Sequence, residues 1–363
     1  MGLLRGRLII TLGLFSGERS MKKAGLFLGA CLLGFLLARL HIPIPYMLGG
    51  IVSSVIVKFF LDPGIAWPVT WRNWMLGVAG YGIGRNCTME TARQLMEQSV
   101  SVVSASVFTI LVAVLIAVYI CRSTYSNLLT CILGSMPGGM AQMLLLTEED
   151  PRADANAVVV SQSIRFFGVV ASVPFLAVTL FDAKSLEHVN RISGVWTWGW
   201  LYLIPITFAG SRIANRLKMP AGYLLGPIIV SALVSCLWKP LDAVPGAVMA
   251  FAQINIGLYI GLMLDREKLT KTRQLIPYFC AGTAVMIIAS ILFAELLSGY
   301  YHFSVITAFL AMAPGGIAEM CLAGLSMGED VSLILTYQFA RVLLLNFSVP
   351  FFVKWFFKAD AYE

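Results

Sequence analysis

The sequence predicts an all-α integral membrane protein, a polytopic helical bundle built from two repeats. Three observations carry that prediction: an apolar composition, hydrophobic stretches long enough to cross a bilayer, and an internal duplication. Of 363 residues, 58% are apolar and 12% charged, with mean hydropathy +0.82. Soluble domains average roughly half apolar and about a quarter charged, so a bilayer is the natural solvent for this chain.

Apolar stretches able to span about 30 Å of hydrocarbon fall into six per half. In the first half they cover 24–40, 44–61, 67–84, 98–121, 125–147 and 154–180. In the second they cover 196–214, 219–238, 244–264, 276–299, 303–326 and 331–356. This divides the chain into an N-terminal extension (1–20), a first repeat (21–181), a linker (182–195) and a second repeat (196–358). Arg5 and Arg7 ahead of Leu8 to Phe15 resemble a short signal-like segment without a convincing cleavage pattern. Met21-Lys22-Lys23 would make an alternative start directly before the first span.

The duplication has an offset of 177: Pro43, Tyr46, Gly49 and Ser54 recur as Pro220, Tyr223, Gly226 and Ser231. Gly80 and Gly84 recur as Gly257 and Gly261, and Pro137-Gly138-Gly139 recurs as Pro314-Gly315-Gly316. After a one-residue deletion, Asp154, Gln162, Arg165 and Pro174 match Asp330, Gln338, Arg341 and Pro350. Apolar matches arise easily by chance, whereas matched Pro, Gly, Gln and Arg do not.

Loop charges decide between parallel and inverted copies, because Lys and Arg collect on the cytoplasmic side. With residues 1–20 and the two intramembrane arginines set aside, 21 basic residues remain. If all six segments of each half span, they divide 11 to 10; if the fifth segment dips in and returns, they divide 15 to 6. The second division favours five spans and one Pro-Gly-Gly-broken or re-entrant segment per half, inverted repeats, and both ends in the cytoplasm. The net charge of +7 is thus read as topology rather than nucleic-acid binding. The seven cysteines, without CxxC or paired spacing, read as small apolar residues.

The fifth segments carry the breaks, in SMPGGMAQM and AMAPGGIAEM. Proline removes a backbone donor and glycine weakens a helix, so both copies should be interrupted. Irregular backbone at membrane depth survives only against protein or a water-filled cavity, and transporters place such breaks at the solute site. Pro137, Gly138, Gly139, Pro314, Gly315 and Gly316 are therefore candidate site residues; a packing kink is the alternative. Arg165 and Arg341 each follow a glutamine by three residues, Gln162 and Gln338, which puts both polar groups on one helical face. They are read either as anion contacts or as arginines that snorkel or pin a carboxylate. Glu319, opposite Gln142 in the other copy, is either a coupling-proton site or a partner of Arg165 or Arg341. Asp154 and Asp330 read as helix caps and the GxxxG pairs as packing sites.

Three scattered histidines, no HExxH, no nucleophile elbow and no nucleotide-binding motif speak against an enzyme, a resident cofactor or a metal. With its doubled PGGxAxM and QxxR, the chain resembles the bacterial AbrB family of duplicated membrane proteins from about residue 24 to 356. Its members carry labels as transcriptional regulators or ammonia monooxygenases, and the resemblance implies a polytopic membrane protein. PYMLGGIVSSVI followed by GYGIGRNCTMETARQL looks, more distantly, like the opening of the cation/proton antiporter and bile-acid-carrier superfamily, whose members have inverted repeats. The expectation is a secondary transporter of a small, anionic solute in the bacterial cytoplasmic membrane, coupled to a proton or cation, working alone or as a homo-oligomer. The alternative is a membrane sensor that affects gene expression through a partner.

Overall fold

A computed structural model describes residues 2–87, 93, 98–181, 198–219, 221–238 and 240–358, with side chains from 21 to 353 except at 141 and 149. The expected linker at 182–195 lies outside the described residues, as does Pro220. Among the described residues every regular element is helical. They are α1 (Gly2–Arg39), α2 (Pro45–Ile56, extended by a π-helical turn Val57–Leu61), α3 (Val69–Gly84), α4 (Ser99–Ser123), α5 (Leu128–Ser135), α6 (Met140–Glu149) and α7 (Ala155–Leu180). After a 3-10 turn at Trp198–Tyr202 come α8 (Leu203–Arg216), α9 (Gly222–Leu237), α10 (Gly246–Gly261), α11 (Arg266–Lys271) and α12 (Ile276–Tyr301). The chain closes with α13 (Val305–Met312), α14 (Ile317–Met327) and α15 (Val331–Lys358).

Five stretches are long and apolar enough to cross a membrane: Met21–Arg39, Ser99–Ser123, Ala155–Leu180, Ile276–Tyr301 and Val331–Val353. Shorter apolar helices, α2, α9 and α10 among them, stand beside them. With its exposed large apolar side chains, Leu28, Leu115, Leu296 and Phe347 among many, this is a helical membrane protein.

Each fifth segment of the sequence is two short helices rather than one span. In the first half the Thr130 hydroxyl accepts from Asp154 N–H at 2.9 Å, Ser161 Oγ donates to Gly134 O at 3.0 Å, and Gln162 reaches Met136 O. The numbers rise together, so α5 and α7 run side by side in one direction, and α6 between them must run back. In the second half Thr307 takes the Asp330 N–H at 3.3 Å and Gln338 reaches Leu310 and Ala313, so α13, α14 and α15 repeat the arrangement. Each fifth segment is a hairpin that returns to the level at which it began.

The halves interlock through helix pairs that exchange partners. Gly80 and Gly84 of α3 lie against the backbone of Leu224 and Ile228 on α9, while Gly257 and Gly261 of α10 lie against Met47 and Ile51 on α2. A Cβ at Gly80 would stand 2.5 Å from Leu224 O, so only glycine permits the contact. The turns entering α2 and α9 are likewise matched, with left-handed backbone at His41 and Ile44 and again at Lys218 and Ala221.

Gly257→Val should lower the thermal midpoint of the detergent-purified protein, by the roughly 1–3 kcal/mol typical of overpacking or more, because the backbone it meets cannot turn aside. Gly299→Ala, where nothing lies within 4 Å, should leave it unchanged or slightly raised. Fluorescence-detected melting of both variants checks the contrast.

Candidate functional site

Between α5 and α6 the chain passes through Met136-Pro137-Gly138-Gly139, and between α13 and α14 through Ala313-Pro314-Gly315-Gly316. In each, the N–H of the first glycine donates back across the proline, Gly138 to Met136 O at 2.9 Å and Gly315 to Ala313 O at 2.8 Å. Proline presets φ close to the value such a three-residue turn needs. The turn ends the half-helix and leaves its last carbonyls without intrahelical partners.

Two fully buried glutamines meet those carbonyls. Gln162 Nε2 donates to Leu133 O at 2.7 Å and Met136 O at 2.9 Å; Gln338 Nε2 donates to Leu310 O at 2.8 Å and Ala313 O at 2.9 Å. The acceptors correspond at the sequence offset, so one amide caps each broken helix in the same way. With the amide hydrogens committed, each Oε1 faces the arginine one turn later. Arg165 Nη2 donates to Gln162 Oε1 at 2.7 Å, and Arg341 Nη2 donates to Gln338 Oε1.

The arginines then part from the symmetry. Arg341 Nη1 donates to Met312 O at 3.2 Å and Ala313 O at 2.8 Å, and its Nη2 to Gly315 O at 3.2 Å, all in its own half. Arg165 Nη1 donates across to Pro314 O. Both guanidinium groups therefore converge on the second break, near enough to act on each other electrostatically. Among the described residues no carboxylate lies within 4.0 Å of either, and the Nε of each is buried without a hydrogen-bond partner. Two positive charges stand there with only carbonyl dipoles as neighbours. A small recess of about 10 Å³ beside Arg165, bounded by Ser135, Ser161 and Thr283, has room for about one water.

Glu319 is buried on the first turn of α14, but it reaches neither arginine within ion-pair distance. Its carboxylate folds over Gly316, beside Phe166 of α7, leaving no room for a side chain there. Its counterpart Gln142 instead donates to Asn346 O on α15 at 2.9 Å, its Oε1 is unpartnered, and the space at Gly139 is open. Gly138 lies beside Leu345 of α15 and Gly315 beside Val169 of α7. Each break thus packs against the long helix of the opposite half. Asp154 and Asp330 accept the first N–H groups of α7 and α15, as ordinary caps.

All twelve candidate residues lie in the two breaks, the first turns after them, or the facing stretches of α7 and α15. Sequence reasoning missed the threonines that pin each hairpin to the mouth of the next helix. Thr130 and Thr307 recur at the offset of 177, and that match was the available signal.

Fold and site together define a helical membrane protein with two buried, interrupted hairpins, each capped by a glutamine. The family described as "Transition state regulatory protein AbrB" matches residues 46–357, and the chain belongs to the AbrB family. It is 26% identical to the Bacillus subtilis (strain 168) protein named "Uncharacterized protein YhjN", over 88% of this chain and 89% of that one. It is 25% identical to the Escherichia coli (strain K12) protein named "Putative regulator AbrB", over 88% and 93%.

Gln338→Leu takes the amide donor from Leu310 O and the acceptor from one face of Arg341, while Ala313 O keeps Gly315 N–H and Arg341 Nη1. At about 1–3 kcal/mol for each unsatisfied buried group, it should destabilise the protein by roughly 2–4 kcal/mol. Gln162→Leu should cost about as much. Melting temperatures in detergent check both, and an unchanged value would show that the caps are dispensable.

Proposed function

We propose that this protein is a secondary carrier that moves a small anionic solute across the bacterial cytoplasmic membrane by alternating access. The observation that carries this reading is the pair Arg165 and Arg341, buried at one break without a carboxylate partner. An arginine in hydrocarbon costs at least ~2.5 kcal/mol and pairs with an acid or with backbone carbonyls, which leave its charge uncompensated. Two together, each with an unused Nε donor, favour an anion that arrives and leaves.

The scaffold suits that task as two inverted repeats, each with five crossing helices and one re-entrant hairpin entering from the opposite side. The 15 to 6 division of basic residues, the returning hairpins and the exchanged contacts all favour that arrangement. Both arginines are buried in this conformation, and rocking of one half against the other would open the site to either side. Glu319, buried and without an ion-pair partner within 4.0 Å among the described residues, is the group that would couple a proton to the solute; Gln142 in the other copy cannot. The family description favours a second reading, a membrane sensor acting through a partner.

Reconstituted in proteoliposomes, the protein should exchange a radiolabelled member of a panel of small organic and inorganic anions. Arg341→Lys keeps charge but loses the planar fork, and should reduce exchange by about tenfold or more while the protein still melts cooperatively. Glu319→Gln should retain exchange and abolish dependence on a proton gradient. Folded protein that moves no anion across the panel would overturn the carrier reading; a recurrent cytoplasmic partner whose capture survives both substitutions would favour the sensor.

Cysteine scanning of residues 134–143 and 311–320 in a cysteine-free background should find membrane-impermeant reagents reaching the first stretch from the cytoplasmic side and the second from the other. Labelling of both from one side would contradict the inverted arrangement.

A further inference from the structure

A cleft of about 570 Å³ lies where the N-terminal ends of α3 and α9 meet the C-terminal end of α8, and none of the break residues lines it. That volume is in the range of small-molecule sites. It is lined by Arg212 and Arg216, both exposed and one turn apart on α8, with Asn73 of α3. The Thr207 hydroxyl, on a residue 1% exposed, has no hydrogen-bond partner. Thr207 lines the cleft, while its methyl group lies against Gly77. Trp74 and Phe208 form the rim, their rings stacked at 6.4 Å and both exposed on the outside of the bundle; Arg212 lies over the Phe208 ring at 5.8 Å.

Arginines near a helix C-terminus on the basic end of a membrane protein have an ordinary explanation in topology and dipole compensation. That explanation leaves the cleft, the amide and the unpartnered hydroxyl unaccounted for. The duplication sharpens the point. Positions 30, 35 and 250, which correspond to Thr207, Arg212 and Asn73, hold Ala30, Phe35 and Ala250. Arg216 alone of these four is matched by a basic residue, Arg39, so the second guanidinium, the amide and the hydroxyl are particular to one half.

We infer that this cleft binds the phosphate of an anionic phospholipid. Two guanidinium forks, the positive ends of two helices and a free hydroxyl suit a phosphodiester, and the ring-lined rim on the outer wall suits the start of acyl chains. Free phosphate esters share the headgroup chemistry but have no use for the rim. The inference does not depend on the carrier reading, since it uses none of the same residues.

Native mass spectrometry of the full chain in detergent, with phosphatidylglycerol or phosphatidylcholine added, tests it. Phosphatidylglycerol should be retained over phosphatidylcholine by about tenfold, and Arg212→Ala with Arg216→Ala should remove that preference. Lys271→Ala, which removes an exposed charge paired with Glu267, should not. Thr207→Val should lower retention about threefold without moving the lipid-free melting temperature, and it carries the test should the double variant fail to fold. Equal retention of both lipids, or a preference that survives the arginine and threonine variants, would overturn the inference. Displacement by glycerol 3-phosphate at equal concentration would overturn the lipid as the source, leaving a soluble phosphate ester in its place.

Discussion

Inside a bilayer, a backbone carbonyl that loses its helical partner has no water to turn to, and the centre of this protein is organised around that constraint. Each Pro-Gly-Gly turn frees the last carbonyls of a half-helix, and one glutamine amide meets two of them. The glutamine's helix runs alongside the half-helix in the same direction. That arrangement sends the intervening segment back on itself. It also uses up the amide hydrogens, so that the amide oxygen presents itself to the arginine one turn further on. Hairpin, parallel helix and buried cation follow in turn from the need to satisfy a few carbonyls.

The large features were legible because they are written in residues that hydrophobicity cannot imitate. The apolar stretches anticipated most helix ends within a few residues; α8, expected to begin at 196, begins at Leu203. Pro-Gly-Gly located both interruptions, and loop charges favoured hairpins that return. The destinations of long side chains were not legible. Gln162 with Arg165 and Gln338 with Arg341 are the same motif, yet one arginine crosses to the other half and one stays home. Spacing specifies a helical face, not what a six-atom reach will find beyond it. Glu319 shows the same limit. Its difference from Gln142 was visible, but its position beside Gly316 rather than beside an arginine depends on where α7 comes to rest.

Matched scaffolding and unmatched chemistry are separated in this protein. The glycine contacts, the left-handed turns and the glutamine caps agree between the halves, because they hold backbone against backbone and tolerate little change. Chemistry differs at Glu319 against Gln142 at the breaks and at Arg212 against Phe35 in the outer cleft. The two halves share a backbone frame, and their side chains differ within it.

The crossing of each hairpin onto the opposite half also bears on how such a chain is made. Gly138 lies beside Leu345, and Gln142 donates to Asn346, roughly two hundred residues later in synthesis. When the first half has left the ribosome, its hairpin still lacks the wall that will cover it. The interrupted segment must therefore wait, held at its base by Thr130 and Asp154, until the last helix is inserted. α15, made long after the first hairpin, is the helix that covers it.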